Sequence, residues 1–191
     1  MNKKLLALDI GMVCITVDPV RALSPLGLDD VSQLPSGLFA MIEELECGRI
    51  GSDEFFNGIA RVFPEAPRGT DARKWFDSIL GGEIPGMSEL LARLEPEWDF
   101  VFLSDISAPH LAEVRRKLPF FHRAAGGVYS FEVGSRKPDE AMFRAFEKNY
   151  RRPDFYADDR PVNIDAARRL GWNAAVFASA AGLESALSSI R

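Results

Sequence analysis

The chain has 191 residues, enough for one domain or for one domain carrying a sizeable insertion, with room for a substantial core. Hydrophobic residues make up 47 % of it, yet no apolar run approaches the ~18 residues of a membrane span, so a soluble, cytoplasmic protein is expected. Acidic residues number 28 against 23 basic, and the net charge of −5 disfavours nucleic acid or an anionic membrane as partner. The two cysteines, Cys14 and Cys47, are too few and too far apart for a disulfide framework or a zinc motif and read as free thiols. The basic start, Met1-Asn2-Lys3-Lys4, precedes an apolar stretch that Asp9 interrupts before it reaches signal-peptide length.

A first strand is expected from about Lys4 to Asp9. Its apolar residues are continuous, as in a parallel sheet covered on both faces. From Val17 to Gly86 the pattern is helical, with no convincing strand. Leu38, Met41, Ile42 and Leu45 recur at helical spacing, and Cys47-Gly48 marks the stop. Ser52 can cap a helix carrying Phe55, Phe56, Ile59 and Val62. Thr70 can cap another carrying Trp75, Phe76, Ile79 and Leu80, ended by Gly81-Gly82. Beyond Pro85 helices and strands alternate, with strands at Phe100–Leu103, near Val128–Phe131, at Phe155–Ala157 and at Ala174–Phe177. Such alternation predicts a doubly wound α/β fold with a parallel, Rossmann-like sheet. The expected division is a core of residues 1–16 and 87–191 and a helical insertion of residues 17–86.

Carboxylates close two of these strands, Asp9 the first and the pair Asp158-Asp159 the one at Phe155–Ala157. Open α/β sheets bind ligands at the carboxyl ends of their strands. Acids gathered there can hold a hard cation such as Mg2+ while one of them remains free to attack. Two adjacent like charges at a buried strand end also call for a cation. Ser104 closes another strand, where it can cap the following helix or bind a phosphate oxygen. Lys137 stands just before a helix start, against the dipole, a placement suited to a bound anion. His110 and His122 invite attention. His110 sits at a helix start six residues beyond Ser104, and His122 lies in an aromatic turn with a structural role.

The order Asp, Ser, Lys, Asp-Asp resembles the haloacid dehalogenase (HAD) superfamily of hydrolases over essentially the whole chain. Asp9-Ile10-Gly11-Met12-Val13 is similar to its first motif and Leu103-Ser104-Asp105 to its second. The third motif is resembled by Glu132-Val133-Gly134-Ser135-Arg136-Lys137-Pro138-Asp139, and the fourth by Tyr156-Ala157-Asp158-Asp159 with Asn163. Glu46-Cys47-Gly48-Arg49-Ile50 with Glu54-Phe55 is similar to a stretch of the family's helical caps. The resemblance implies a phosphoric monoester hydrolase acting on a small phosphorylated metabolite. Asp9 would form an aspartyl-phosphate, and Mg2+ would bind Asp9, the Gly11 carbonyl and Asp159, with Asp158 nearby. Ser104, Asp105 and Lys137 would hold the substrate.

One departure stands out. Family phosphatases carry Asp two residues after the nucleophile as general acid, and here that residue is Gly11. A subgroup resembling sugar-phosphate phosphatases also has Gly there. Asp18 matches an acidic position of that subgroup and is a candidate substitute and substrate contact, against the reading of a solvated turn before Pro19. Met12 would be strained if its φ were positive. The rival to a phosphatase is a catalytically weak or inactive binding protein of the same fold.

Overall fold

The computed structural model describes residues 3–64 and 66–190. β1 (Lys4–Leu8) is followed by a tight loop and β2 (Ile15–Val17). Next come α1 (Val20–Leu23), two short 3-10 turns, α2 (Ser36–Glu46), α3 (Ser52–Val62), α4 (Thr70–Asp77) and β3 (Leu80–Glu83). The alternating part comprises α5 (Met87–Leu94), β4 (Trp98–Ser104), α6 (Ala108–Lys117), β5 (Gly126–Tyr129), α7 (Ser130–Val133), α8 (Glu140–Asn149), β6 (Phe155–Asp158), α9 (Pro161–Arg169), β7 (Ala174–Val176) and α10 (Ala180–Ser188). Among the described residues no helix is long and apolar enough to cross a membrane.

Five strands form one parallel sheet in the order β5-β4-β1-β6-β7. The chain winds outward from β1 through β4 to β5, then returns to β6 on the other side of β1. β1 therefore lies at the reversal of strand order, where open α/β sheets place their ligand crevice. Its side chains alternate between two cores. Leu6 and Leu8 join Phe100, Phe102, Leu90 and Leu111 on one face. On the other, Leu5 and Ala7 join Val101, Phe143, Ile164 and Trp172. Burial on both faces is why β1 reads as an unbroken apolar run. The expected doubly wound α/β fold is the one observed.

The helical stretch has an apolar cluster of its own, built on Leu38, Leu45, Phe55, Ile59, Trp75 and Phe76. Gly48, with φ 66°, stops α2 as expected. A Cβ there would come within 2.2 Å of the Phe131 carbonyl oxygen, so glycine is what lets the end of α2 press against α7. Ser52 turns out to be the first residue of α3 rather than its cap, since Gly51 takes that place without a side-chain bond. Thr70 begins α4, and its side chain lies outside the described residues.

The expectation of no strand between residues 17 and 86 fails at β3. The helix expected to reach Leu80 ends at Asp77, and Leu80–Glu83 pairs antiparallel with β2. Two adjacent glycines read locally as a helix stop, but here they serve a non-local strand contact. A Cβ on Gly81 would lie 2.1 Å from Thr16 Oγ1, so the pairing demands a residue without one.

Phe143 is fully buried and meets the rings of Tyr156 and Trp172 edge-on. Phe143→Ala is expected to cost about 3–5 kcal/mol, read as a lowered midpoint in urea unfolding at unchanged slope.

Candidate active site

The strands deliver the expected residues to one edge. Asp9 follows β1, and its backbone N–H donates to the Ala157 carbonyl at 3.0 Å, setting it beside Asp158 at the end of β6. Ser104 ends β4 on the opposite flank of β1. Carboxylate oxygens of Asp9, Asp158 and Asp159 lie within 4.8 Å of one another. Lys137 reaches into this group from the loop before α8. Its ammonium lies 3.0 Å from Asp9 Oδ1 and 2.7 Å from Asp158 Oδ2, and donates to the Leu103 carbonyl at 2.9 Å. Asp105 fixes that loop by accepting the Lys137 backbone N–H at 2.9 Å. The unfavourable helix-start position of Lys137 thus has a cause in three dimensions, because the side chain turns away from α8 toward the carboxylates.

Asp158 is fully buried and saturated. Its oxygens accept from Lys137, from the Tyr156 hydroxyl, from the Arg160 backbone N–H at 2.8 Å, and from Asn163 Nδ2 at 3.0 and 3.1 Å. Burial would raise its pKa, but Lys137 and these donors hold it below the ordinary carboxylate range. Asp9 is the opposite case. Burial, offset only in part by Lys137 and reinforced by Asp158, pushes it up to about 7. Asp159 is half-buried and raised by its own desolvation and by Asp158. Lys137 is opposed by burial, yet Asp9, Asp158 and Asp105 together hold its ammonium above the usual lysine range. Three carboxylates around one ammonium leave an excess of negative charge with oxygen donors only, a donor set suited to a hard cation. Asp9 and Asp159 have the open oxygens for it, and Asp158 does not.

The alternative use of Ser104, as the cap of the following helix, is taken by another group. Ser107 caps α6, accepting the His110 N–H at 3.4 Å, so Ser104 is left buried at the strand end. A cavity of about 100 Å3 adjoins it, lined among others by Gly11, Glu46, Ser104, Asp105, Ile79 and His110. Asp18 is not in that lining. Its carboxylate accepts the Val20 N–H at 3.1 Å and pairs with Arg21 at 3.3 Å, so it organises the turn before α1. His110 does border the cavity, but its Nε2 faces the Phe76 carbonyl at 3.0 Å and its ring stacks on Phe76 at 3.9 Å. Burial keeps it neutral, with a pKa pushed down to about 4. His122 sits in a 3-10 turn away from this cavity.

Gly11 does not need to be glycine. Its φ is not positive, and an added Cβ would meet only Val17 Cγ2 at 3.5 Å. Among the described residues Met12 is the one non-glycine residue with positive φ, at 56°, and it is 44 % exposed. Two functional candidates had no role assigned from sequence. Tyr156 reads as strand core but supplies a hydroxyl to Asp158. Glu46 lies inside the cap-like stretch, and its place at the last turn of α2 gives no local sign that it borders the cavity. Burial pushes Glu46 up to about 7.

No protein-family model and no curated protein matches the sequence. Solved structures do match it. A HAD family enzyme from Bacteroides thetaiotaomicron superposes with TM-score 0.82 at 20 % identity, over 94 % of this chain and 95 % of that one. The same enzyme in complex with magnesium and inorganic phosphate gives 0.80 at 21 %, over 93 % and 96 %. A HAD-like family hydrolase from Porphyromonas gingivalis gives 0.75 at 22 %, over 91 % and 90 %. An L-2-haloacid dehalogenase gives 0.63 at 15 %, over 93 % and 85 %. The chain has the fold of the haloacid dehalogenase superfamily, the same family its motifs resemble.

Relief of the left-handed conformation should make Met12→Gly more stable by about 0.5–1 kcal/mol, after the added entropy of glycine is subtracted. Matched thermal melts of the two proteins test this. A second expectation concerns pH. Asp9 and Glu46 have folded-state pKa values raised above their unfolded ones, so each favours folding while protonated and loses that contribution as pH rises through about 7. The metal-free protein should therefore lose stability between about pH 4 and pH 7, and Glu46→Gln should flatten part of the decline in a melting series.

Proposed function

We propose that this chain is a Mg2+-dependent phosphatase acting on a small phosphorylated metabolite through an aspartyl-phosphate. The observation that carries the reading is the group of Asp9, Asp158 and Asp159 around the single ammonium of Lys137, at the ligand-binding edge of the sheet. In this reading Asp9, Asp159 and the Gly11 carbonyl hold Mg2+, which supplies positive charge against the oxygens of the phosphoryl group. The complex of the Bacteroides enzyme with magnesium and inorganic phosphate supports the assignment by likeness of fold.

Each residue then has a task that its surroundings favour. Asp9 attacks phosphorus, and its bond to Lys137 directs one carboxylate oxygen while the other stays available. Lys137 and Ser104 bind phosphoryl oxygens, and Lys137 offsets the repulsion between Asp9 and the approaching anion. Asp158 serves as the anchor of Lys137 rather than as a direct ligand, because its oxygens are already taken. Asp105 positions the Lys137 loop. Asn163, placed where a second acid is common in the family, holds Asp158 instead.

Residues 17–86 act in this reading as a helical cap over a core of residues 1–16 and 87–191. Their separate apolar cluster and the contribution of Glu46 and Ile79 to the cavity beside Ser104 support that division. A cavity of about 100 Å3 with Glu46, Asp105, Ser104 and His110 among apolar walls suits a small ester, and sugar phosphates fall in that class. The likeness to an L-2-haloacid dehalogenase raises metal-free dehalogenation as a second reading. Three carboxylates around one ammonium argue for the phosphatase, since a haloacid anion would enter a field of like charge without a cation.

Mg2+ at a hundredfold excess over its dissociation constant should add about 2.7 kcal/mol of stability, a rise of roughly 5–10 °C in Tm for a chain of this size. Asp159→Asn should remove most of that shift. The activity itself is tested by phosphate release from a panel of metabolite esters with Mg2+. Asp9→Asn should abolish turnover on every substrate that wild type accepts. Wild type that melts cooperatively, binds Mg2+ and releases phosphate from none of them would leave the binding-protein alternative.

A further inference from the structure

The chain lacks a carboxylate at the residue two beyond Asp9, and among the described residues the nearby candidates are otherwise engaged. Gly11 has no side chain, Asp18 is held by Val20 and Arg21, and His110 is held by Phe76. Asp105 lines the cavity but is engaged by the Lys137 backbone N–H. A remaining acid on the cavity wall is Glu46, delivered from the end of α2. Its backbone is tied to the core, since the Ser130 hydroxyl donates to the Glu46 carbonyl at 2.6 Å, and Gly48 seats the turn against Phe131. The carboxylate is therefore registered to the catalytic edge even though it belongs to the helical segment.

Its side chain is 21 % exposed, but Oε2 is sealed from solvent and, among the described residues, accepts no hydrogen bond. Arg136 Nε approaches Oε2 to 3.2 Å without hydrogen-bond alignment and is itself left without a partner. A buried carboxylate oxygen with no donor is costly unless it carries a proton or meets a ligand. We propose that Glu46 is the proton donor and acceptor of the phosphatase cycle, doing from the cap what an acid at residue 11 would do from the core.

This inference rests on the phosphatase reading. Asp9 forms a bond to phosphorus as the bond from phosphorus to the ester oxygen breaks. The leaving oxygen takes the proton of the Glu46 carboxyl, and an alcohol departs. The Glu46 carboxylate then takes a proton from water as that water attacks phosphorus. The bond between phosphorus and Asp9 breaks, phosphate leaves, and both side chains return to their starting states. Five groups face Glu46: Asp105 from the end of β4, Glu43 from its own helix, Arg136 from the Lys137 loop, Arg160 from the start of α9, and His110 from α6. Burial outweighs the two arginines and places the carboxyl at about 7, where both protonation states are populated at neutral pH.

The test compares p-nitrophenyl phosphate, whose leaving group needs no proton, with propyl phosphate, whose leaving group does, using the full chain with Mg2+. Glu46→Gln should lower kcat/KM on propyl phosphate by about 10²–10⁴-fold and leave it within a few-fold on the aryl ester. With the aryl ester it should also release one nitrophenolate per enzyme in a burst and then turn over slowly, because water activation is lost. Adding Gly11→Asp to Glu46→Gln should recover at least tenfold on propyl phosphate, since the backbone there accepts a Cβ. In wild type, kcat/KM for propyl phosphate should decline above about pH 7, and that for the aryl ester should not. Arg136→Gln removes a cation from Glu46 and should move the decline to higher pH, a shift that a structural role would not produce. Wild-type rates on propyl phosphate in Glu46→Gln overturn the proposal, as does an equal loss of kcat/KM on both esters. If Glu46→Gln fails to melt cooperatively, the wild-type pH profile and its shift in Arg136→Gln decide. Folded, Mg2+-bound wild type inactive on both esters overturns the phosphatase reading and this one with it.

Discussion

A lysine ammonium lies almost wholly out of water between the ends of two central strands, and the carboxylate-bearing edge of the sheet is arranged around it. Lys137 is 4 % exposed and touches Asp9, Asp158 and the Leu103 carbonyl. A charge so placed is tolerable only if its partners are fixed and its donors are used. The surroundings meet that condition from several elements. Asp105 at the end of β4 holds the lysine's backbone, Tyr156 of β6 and Asn163 of α9 hold Asp158, and the Ala157 carbonyl holds the backbone of Asp9. The result joins β1, β4, β6 and the loop before α8 into one polar unit above two apolar cores. Such a network favours one geometry over its neighbours more than it adds stability.

The same network explains the division of labour among the acids. Asp158 is saturated and is held ionised below its ordinary range, while Asp9, also buried but with fewer donors, is driven the other way. Lys137 cannot balance three carboxylates, and the remaining negative charge is concentrated where Asp9 and Asp159 still have open oxygens. Desolvation is the dominant influence on both, and it makes the site receptive to a cation.

Two of the close approaches that join the helical segment to the core depend on glycine. Gly81 allows β3 to lie against Thr16 of β2, and Gly48 allows the end of α2 to meet Phe131. Through these contacts a segment with its own apolar core contributes Glu46 and Ile79 to a cavity whose other walls belong to the sheet.

Much of this was legible in the residues because it is local. Unbroken apolar runs marked β1 and β4 as strands buried on both faces, and the stop of α2 at Gly48 is set by a single residue with positive φ. The acids, serine and lysine at strand and helix ends could be read in order, since their positions follow from the local pattern. What depends on the meeting of distant segments was not legible. The β2–β3 pair exists because residues some 65 positions apart come together, although Gly81-Gly82 alone reads as a helix stop. Asp18 is the acid a linear reading offers, and Glu46 has no role in it. Asp18 is tied by its own neighbours Val20 and Arg21, whereas only packing gives Glu46 a place on the cavity beside Ser104 and leaves its Oε2 without a hydrogen bond. Sequence by itself determined the fold class and the chemical inventory of the edge. The tertiary structure decided which carboxylate is saturated, which is open and which is desolvated, because burial and hydrogen-bond partners come from non-local neighbours and those neighbours set the charge state of each group.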